Sequence, residues 1–259
     1  MLSIEKQILY LLSRVNQMTS SEIISIYDNR KYSSQHIRNV LSKLKKKSLI
    51  NSPFRSNYII TEKGIAFIKT INQKPILYNI GWNRQWIIVI VEIPESIRKK
   101  RELFRQELIQ LGFGSLFKST YFSPWDYSEQ VVEIAKSLNI IENISILRGE
   151  FLVNGLTNAK INEIWDLESI HQLYLDKLKW FNEVFLPKID NKSLDDLSLF
   201  AFFLELGEII SELNLKDPML PKELLPTNWQ GVEIYRQINE YAQYLISLIP
   251  YESRFRKFL

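Results

Sequence analysis

At 259 residues, with a net charge of +4, the chain is long enough for two or three small folded domains. It has no cysteine and only two histidines, His36 and His171, which excludes disulfides and thiolate metal sites and leaves any zinc centre dependent on carboxylates. The longest apolar runs, Trp86–Val91 and Leu199–Leu204, fall far short of the ~20 residues that cross a bilayer, and the opening MLSIEKQ lacks a basic-then-apolar leader, so a cytoplasmic chain with no membrane partner is expected.

The charge is polarised along the chain. Residues 1–75 hold 13 Lys and Arg against 4 Asp and Glu, a net +9, whereas the rest hold 20 against 25, a net −5. A basic end on an acidic body fits a first domain that alone meets a polyanion. Within it, Ile4, Ile8, Leu11, Leu12 and Val15 mark one face of a first helix. Thr19-Ser-Ser-Glu22 is a capping box that opens a second, with Ile23, Ile24, Ile26 and Tyr27 as its apolar contacts. After a connection over Asp28 to Tyr32, Ser33 caps a third helix running to about Lys47.

At 100° per residue the third helix separates into two faces. Ile37, Val40, Leu41 and Leu44 fall together and must face a core, while Gln35, Arg38, Asn39, Ser42 and Lys46 cluster opposite. A solvated helix face is the plain alternative, but the outward residue types suit a major groove. Arg bonds guanine bidentately, Asn and Gln bond adenine, and Lys neutralises phosphate. Two short strands, Leu49–Asn51 and Tyr58–Thr61, then flank a turn-rich loop with Arg55 near its tip, and Glu62–Ile71 closes the segment as a helix. Three helices and a basic hairpin make a winged helix-turn-helix over residues 1–75. Its candidate DNA contacts are Ser34, Gln35, His36, Arg38, Asn39, Ser42, Lys43, Lys46, Arg55 and Asn57, with Lys45 and Lys47 as further phosphate contacts.

Asn72–Pro75 breaks the helical pattern and reads as a short linker. The next block, WIIVIVEIPESIRKKRELFRQELIQLGFGSLFKSTYFSP from Trp86 to Pro124, begins with a buried strand to Ile93. An amphipathic helix follows with Ile97, Arg101, Phe104, Leu108 and Leu111 on one side, and Gly112 ends it. Leu116, Lys118, Thr120 and Phe122 alternate with Phe117, Ser119 and Tyr121 as a second strand. Tyr127–Leu138 supplies a second helix and Ile144–Leu147 another strand. The count is that of a ferredoxin-like β-α-β-β-α-β unit over residues 76–165, its remaining strand being either half of a hairpin within Phe113–Phe122 or Phe151–Val153.

The wording of this block resembles the core of the PaaX-type transcriptional repressors, whose central domain looks like the Cas2 endoribonuclease fold. Such proteins carry a similar aromatic and basic lead-in to Gly81-Trp82-Asn-Arg84-Gln-Trp86. A second resemblance lies at Asp217–Gly231, DPMLPKELLPTNWQG, which follows the family pattern DP-x-LP-x-ELLP-x-x-W-x-G. It sits in a mostly helical segment, 166–259, where Ile170–Phe185 reads as a long helix stopped by Pro187 and Leu194–Leu213 as another. Trp229 is expected to pin the proline-rich path to those helices. One departure stands out: where the family often has His-Glu-Tyr-Arg before the Asp-Pro, this chain has Gly207-Glu-Ile-Ile210, which points to a different effector if those residues serve it.

The resemblance implies a homodimeric cytoplasmic repressor that binds a double-stranded operator and releases it on binding a small-molecule effector, an aryl acyl-CoA such as phenylacetyl-CoA. Candidate effector contacts are Arg84, Arg98, Arg101, Lys118, Arg148 and Trp229. No cofactor, metal or catalytic residue is expected: there is no Walker sequence, Gly112-Phe-Gly114 lacks a third glycine, and neither histidine belongs to a recognisable serine-nucleophile arrangement. Two rivals remain. In a Cas2-like nuclease Glu92 occupies the place of the proposed metal-ligating aspartate, although a strand-end Glu in a hydrogen-bonded turn, or in an ion pair with Arg98–Arg101, is the simpler reading. The other rival is a non-enzymatic adaptor that binds RNA or a protein partner.

Overall fold

The amphipathic pattern of the N-terminal segment is realised in a computed structural model that describes residues 3–27, 30, 32–153, 155–190 and 194–259. Helix α1 (Ser3–Ser13) buries Ile4, Ile8, Leu11 and Leu12. Its successor α2 (Ser20–Tyr27) is opened by the expected box: the Thr19 hydroxyl accepts from the Glu22 amide at 3.1 Å, and the Glu22 carboxylate accepts from the Thr19 amide at 2.7 Å. The connection expected at Asp28 to Tyr32 lies outside the described residues except for Arg30 and Tyr32. Then come α3 (Ser34–Lys46), β2 (Ile50–Asn51), β3 (Asn57–Ile60) and α4 (Glu62–Gln73). A further strand, β1 (Met18–Thr19), makes the sheet three-stranded in the order β1-β3-β2, with Met18 opposite Tyr58 and Ile50 opposite Ile60. Two residues are too few for a period to show in sequence.

The expected linker is ordered backbone. Helix α4 runs on to Gln73 and a 3-10 helix continues from Lys74 to Asn79. Strand β4 (Trp86–Val91) ends two residues before the expected Ile93. Helix α5 (Arg98–Leu111) is terminated by Gly112 at φ 107°, in the left-handed region that favours glycine. Of the two expected places for the remaining strand, the hairpin forms, as β5 (Gly114–Phe117) and β6 (Thr120–Ser123); Phe151–Val153 is irregular. Helix α6 (Ser128–Ser137) and strand β7 (Ile144–Gly149) complete an antiparallel sheet in the order β5-β6-β4-β7, the ferredoxin-like topology. One face of β4, through Ile87, Val89 and Val91, packs on Phe104 and Leu108 of α5 and Val131 and Ala135 of α6. On the other face Trp86 stacks with Trp165 at 6.2 Å between ring centroids, held on α7 (Asn158–Trp165).

The remaining helices are α8 (Leu167–Trp180), α9 (Leu186–Asp190), α10 (Asp196–Lys216) and α11 (Gly231–Leu248). Pro187 does not stop the first of them. A π-helical turn over Phe181–Phe185 joins α8 to α9, and the Leu186 amide returns to the Phe181 carbonyl, five residues back. The widened turn accommodates a ring that a regular α-helix would drive into the carbonyl four residues before it. The chain gathers into two units: Met1–Gln73, Leu173–Leu215 and Gln230–Leu259 form one, and Lys74–Gln172 with Lys216–Trp229 form the other. Within the second unit Trp229 lies against His171, their ring centroids 5.3 Å apart.

That second unit holds a buried cation. Lys74 is 2% exposed and donates to the Asp217 carbonyl at 2.5 Å, while the Tyr78 hydroxyl donates to the Asp217 carboxylate. Burial pushes the ammonium down from 10.5 to about 8, against the raising influence of the Asp217 charge. Between those two values the unfolded chain holds a proton that the folded chain has released, so this group's contribution to stability increases as pH rises from about 8 towards 10.5. The denaturation midpoint of the parent chain should therefore gain on that of Lys74→Met between pH 7.5 and 10. A pH-independent difference would show that Lys74 is buried without penalty.

Candidate nucleic-acid interface

Helix α3 starts on the Ser33 hydroxyl, which accepts from the His36 amide at 3.1 Å. It ends with Lys43, Lys45 and Lys46 in its last turn, where the helix macrodipole favours cations. Ile37, Val40, Leu41 and Leu44 are buried. Ser34, Gln35, Arg38, Asn39, Ser42, Lys43, Lys45 and Lys46 are exposed, so the two faces divide as the periodicity requires. The Gln35 amide donates to the Asn39 side chain at 3.0 Å, one turn on, which orients both on the outer face. Lys47 leaves that face and pairs with the nearly buried Glu5 carboxylate at 3.2 Å. His36 is half-buried, stacked on the Tyr32 ring at 5.4 Å. No periodicity rule brings out that contact, because Tyr32 precedes the helix.

The loop between β2 and β3 has a defined shape. The Ser52 hydroxyl donates to the Phe54 carbonyl at 2.8 Å, the Asn57 amide donates to the same carbonyl at 3.2 Å, and Ser56 adopts φ 62°. Arg55 is exposed at the tip beside Phe54, which is 72% exposed. Asn57 is half-buried in β3, and its side-chain amide donates to the Arg55 carbonyl at 3.3 Å, so it buttresses the loop. The Ser56 carbonyl accepts from the Ser20 amide at 2.8 Å, which ties the loop's base to the start of α2. Since α3 contains no acidic residue, its outer face is uniformly neutral or cationic.

The six candidate effector contacts do not converge. Arg98 and Arg101 flank Glu95, at 3.7 and 2.8 Å, and Lys118 adds its charge to those two in holding the Glu95 carboxyl below its usual range, after the dominant Arg101 hydrogen bond. Arg148 is on β7, opposite Ile87 near the other end of β4, and pairs with Asp126. Arg84 is exposed in the turn ahead of β4 at φ 64°. Trp229 lies against His171. For Glu92 the sequence leaves two readings, a hydrogen-bonded turn or an ion pair with the basic cluster. The cluster pairs with Glu95, and the Glu92 main chain is hydrogen-bonded to Asn143: its amide donates to the Asn143 carbonyl at 2.8 Å, and its carbonyl accepts from the Asn143 side chain at 3.1 Å. The Glu92 side chain is exposed, and among the described residues no three His, Asp or Glu gather as a metal site.

Comparison with known proteins is consistent with this architecture. Residues 79–161 match the family model described as the PaaX protein central Cas2-like domain, and residues 165–248 match the PaaX-like protein C-terminal domain. An α+β chain with a Cas2-like centre is thereby defined. The chain belongs to the PaaX-type family of transcriptional regulators. It is 22% identical to the transcriptional repressor PaaX of Escherichia coli (strain K12), over 92% of this chain and 79% of that protein. Its fold is similar to that of the uncharacterized protein Rv0674 from Mycobacterium tuberculosis, with a TM-score of 0.52 at 17% identity over 93% of this chain and 94% of that one.

Proposed function

We propose that the chain is a sequence-specific DNA-binding repressor, acting as a cytoplasmic homodimer through a winged helix-turn-helix and released by a small acyl-CoA-type effector such as phenylacetyl-CoA. The observation that carries the DNA-binding part is the outer face of α3, where Gln35, Arg38, Asn39 and Ser42 are all exposed while the apolar residues between them are buried. These side chains offer bidentate and single contacts to base edges, and Lys43 and Lys46 offer charge to phosphates. In this reading Arg55, on the loop that serves as the wing, meets the flanking backbone. The E. coli relative is named a transcriptional repressor, which supports the direction of regulation. Two such helices related by a two-fold axis would read half-sites about one helical turn, or a multiple, apart. The effector acts by binding unequally to the conformations that do and do not fit that spacing.

The test is retention of a duplex taken from upstream of the chain's own operon, against an unrelated duplex of equal length at several salt concentrations. The operator should be retained selectively, and affinity should fall steeply with salt. Equal retention of both duplexes and of unstructured RNA would replace the repressor by an adaptor. Mg²⁺-dependent cleavage that disappears in Glu92→Ala would replace it by a nuclease.

A further inference from the structure

A pocket of about 620 Å³ opens in the first unit beside α10, within the ~300–1,000 Å³ range of small-molecule sites. Trp180, Ala201 and Phe202 give it an apolar, largely aromatic wall. Two ion pairs complete the lining. The Lys188 ammonium donates to both oxygens of Glu205, at 3.0 and 2.7 Å, and Arg30 pairs with Glu208 at 2.5 Å. Lys188 is the most exposed of these four side chains, at 39%, and Arg30 the least, at 8%. An ammonium has three donors, and Glu205 takes two of them, so an incoming anion can be met by the third. Glu208, by contrast, already accepts from both Arg30 and the Tyr32 hydroxyl. The Lys188 ammonium also lies 5.6 Å from the centroid of the Phe202 ring, so an anion met at Lys188 would bring a flat apolar body against the aromatic lining beside it.

The same groups lead out of the pocket to α3. Arg30 donates to the Gln7 side-chain carbonyl at 2.7 Å, and the Gln7 amide donates to the Leu204 carbonyl of α10 at 2.6 Å. Tyr32, held by Glu208, carries the ring that stacks on His36 in the first turn of α3. One hydrogen-bonded group thus lines the pocket and seats the start of the helix assigned above to the DNA groove.

We infer that this pocket binds a small molecule with a planar apolar body and an anionic head, carboxylate or phosphate, and that occupancy is relayed through Glu208 and Tyr32 to His36. The relay has regulatory meaning only if α3 contacts DNA; the pocket itself does not depend on that. Calorimetry on the full chain with phenylacetate, phenyl phosphate and phenethylamine tests the ligand class. At least one of the two anions should bind, and which one does identifies the head group. Binding should weaken about tenfold or more in Lys188→Gln and in Ala201→Trp, which fills the pocket. No binding of either anion, binding in either variant as tight as in the parent chain, or tighter binding of the amine would overturn the assignment.

Because the chain has only two histidines, the relay can be read from their imidazole NMR signals, assigned with His171→Gln. Saturating anion should shift the His36 signal, and Tyr32→Phe, which keeps the ring and loses the bond to Glu208, should bind the anion while showing a smaller shift. An unmoved His36 signal at saturation would overturn the relay. No DNA enters either experiment, so a chain that binds the anion but selects no duplex refutes the repressor reading alone, and the reverse result refutes the pocket alone.

Discussion

Replacing Arg38 by alanine is expected to weaken retention of the cognate duplex by about 1–3 kcal/mol, roughly 5- to 150-fold, and to relax base preference at one position of each half-site. Arg38 is exposed in the middle of α3, flanked by Gln35 one turn before and Ser42 one turn after, and in the proposed complex its guanidinium meets a base edge rather than the phosphate rim. Lys46, in the last turn, is placed for phosphate, and Lys46→Ala should lower affinity for all duplexes alike and reduce the slope of log affinity against log salt by about 0.9. Binding measured against the operator and a scrambled duplex at three salt concentrations separates the two effects. Sequence-blind losses of the same size in both variants would mean that the outer face of α3 does not read bases.

The second large effect expected is on stability. Gly64 lies in the first turn of α4, and a Cβ there would stand 2.2 Å from the Leu49 carbonyl oxygen and 2.7 Å from Ile60. The first obstacle is backbone and cannot rotate away. Overpacking commonly costs about 1–3 kcal/mol, and a backbone clash places Gly64→Ala at or above the top of that range. For a unit of this size that corresponds to a fall in Tm of roughly 6–12 °C. Since Leu49 leads into β2 and Ile60 ends β3, the strain falls on the hairpin that carries Arg55. Thermal unfolding followed by circular dichroism checks it: a shift under about 2 °C would mean that α4 slides to make room, and DNA retention should then be unchanged.

Periodicity and end signals, which depend on near neighbours, carried much of the fold. The inner face of α3, the Thr19 box, the glycine end of α5 and the β-α-β-β-α-β count all follow from residues one to four positions apart. Where a partner came from elsewhere in the chain, local rules failed. Strand β1 exists only because β3 lies beside it, and Pro187 is tolerated only because a π turn widens the helix ahead of it. The strand end at Glu92 is hydrogen-bonded to Asn143, fifty-one residues on, while the basic cluster pairs with Glu95.

By itself, then, the sequence determined which faces are apolar, where helices start and stop, that the charge is concentrated at one end, and, through two distinctive motifs, the family. Only the tertiary structure decided that the six candidate effector contacts are scattered while Arg30, Tyr32, Lys188, Glu205 and Glu208 share a pocket. The physical reason is range. Hydrophobic periodicity is imposed within one element by helix and strand geometry, but a pocket is made by side chains from elements up to 179 positions apart, and no spacing in the chain encodes which of them will meet.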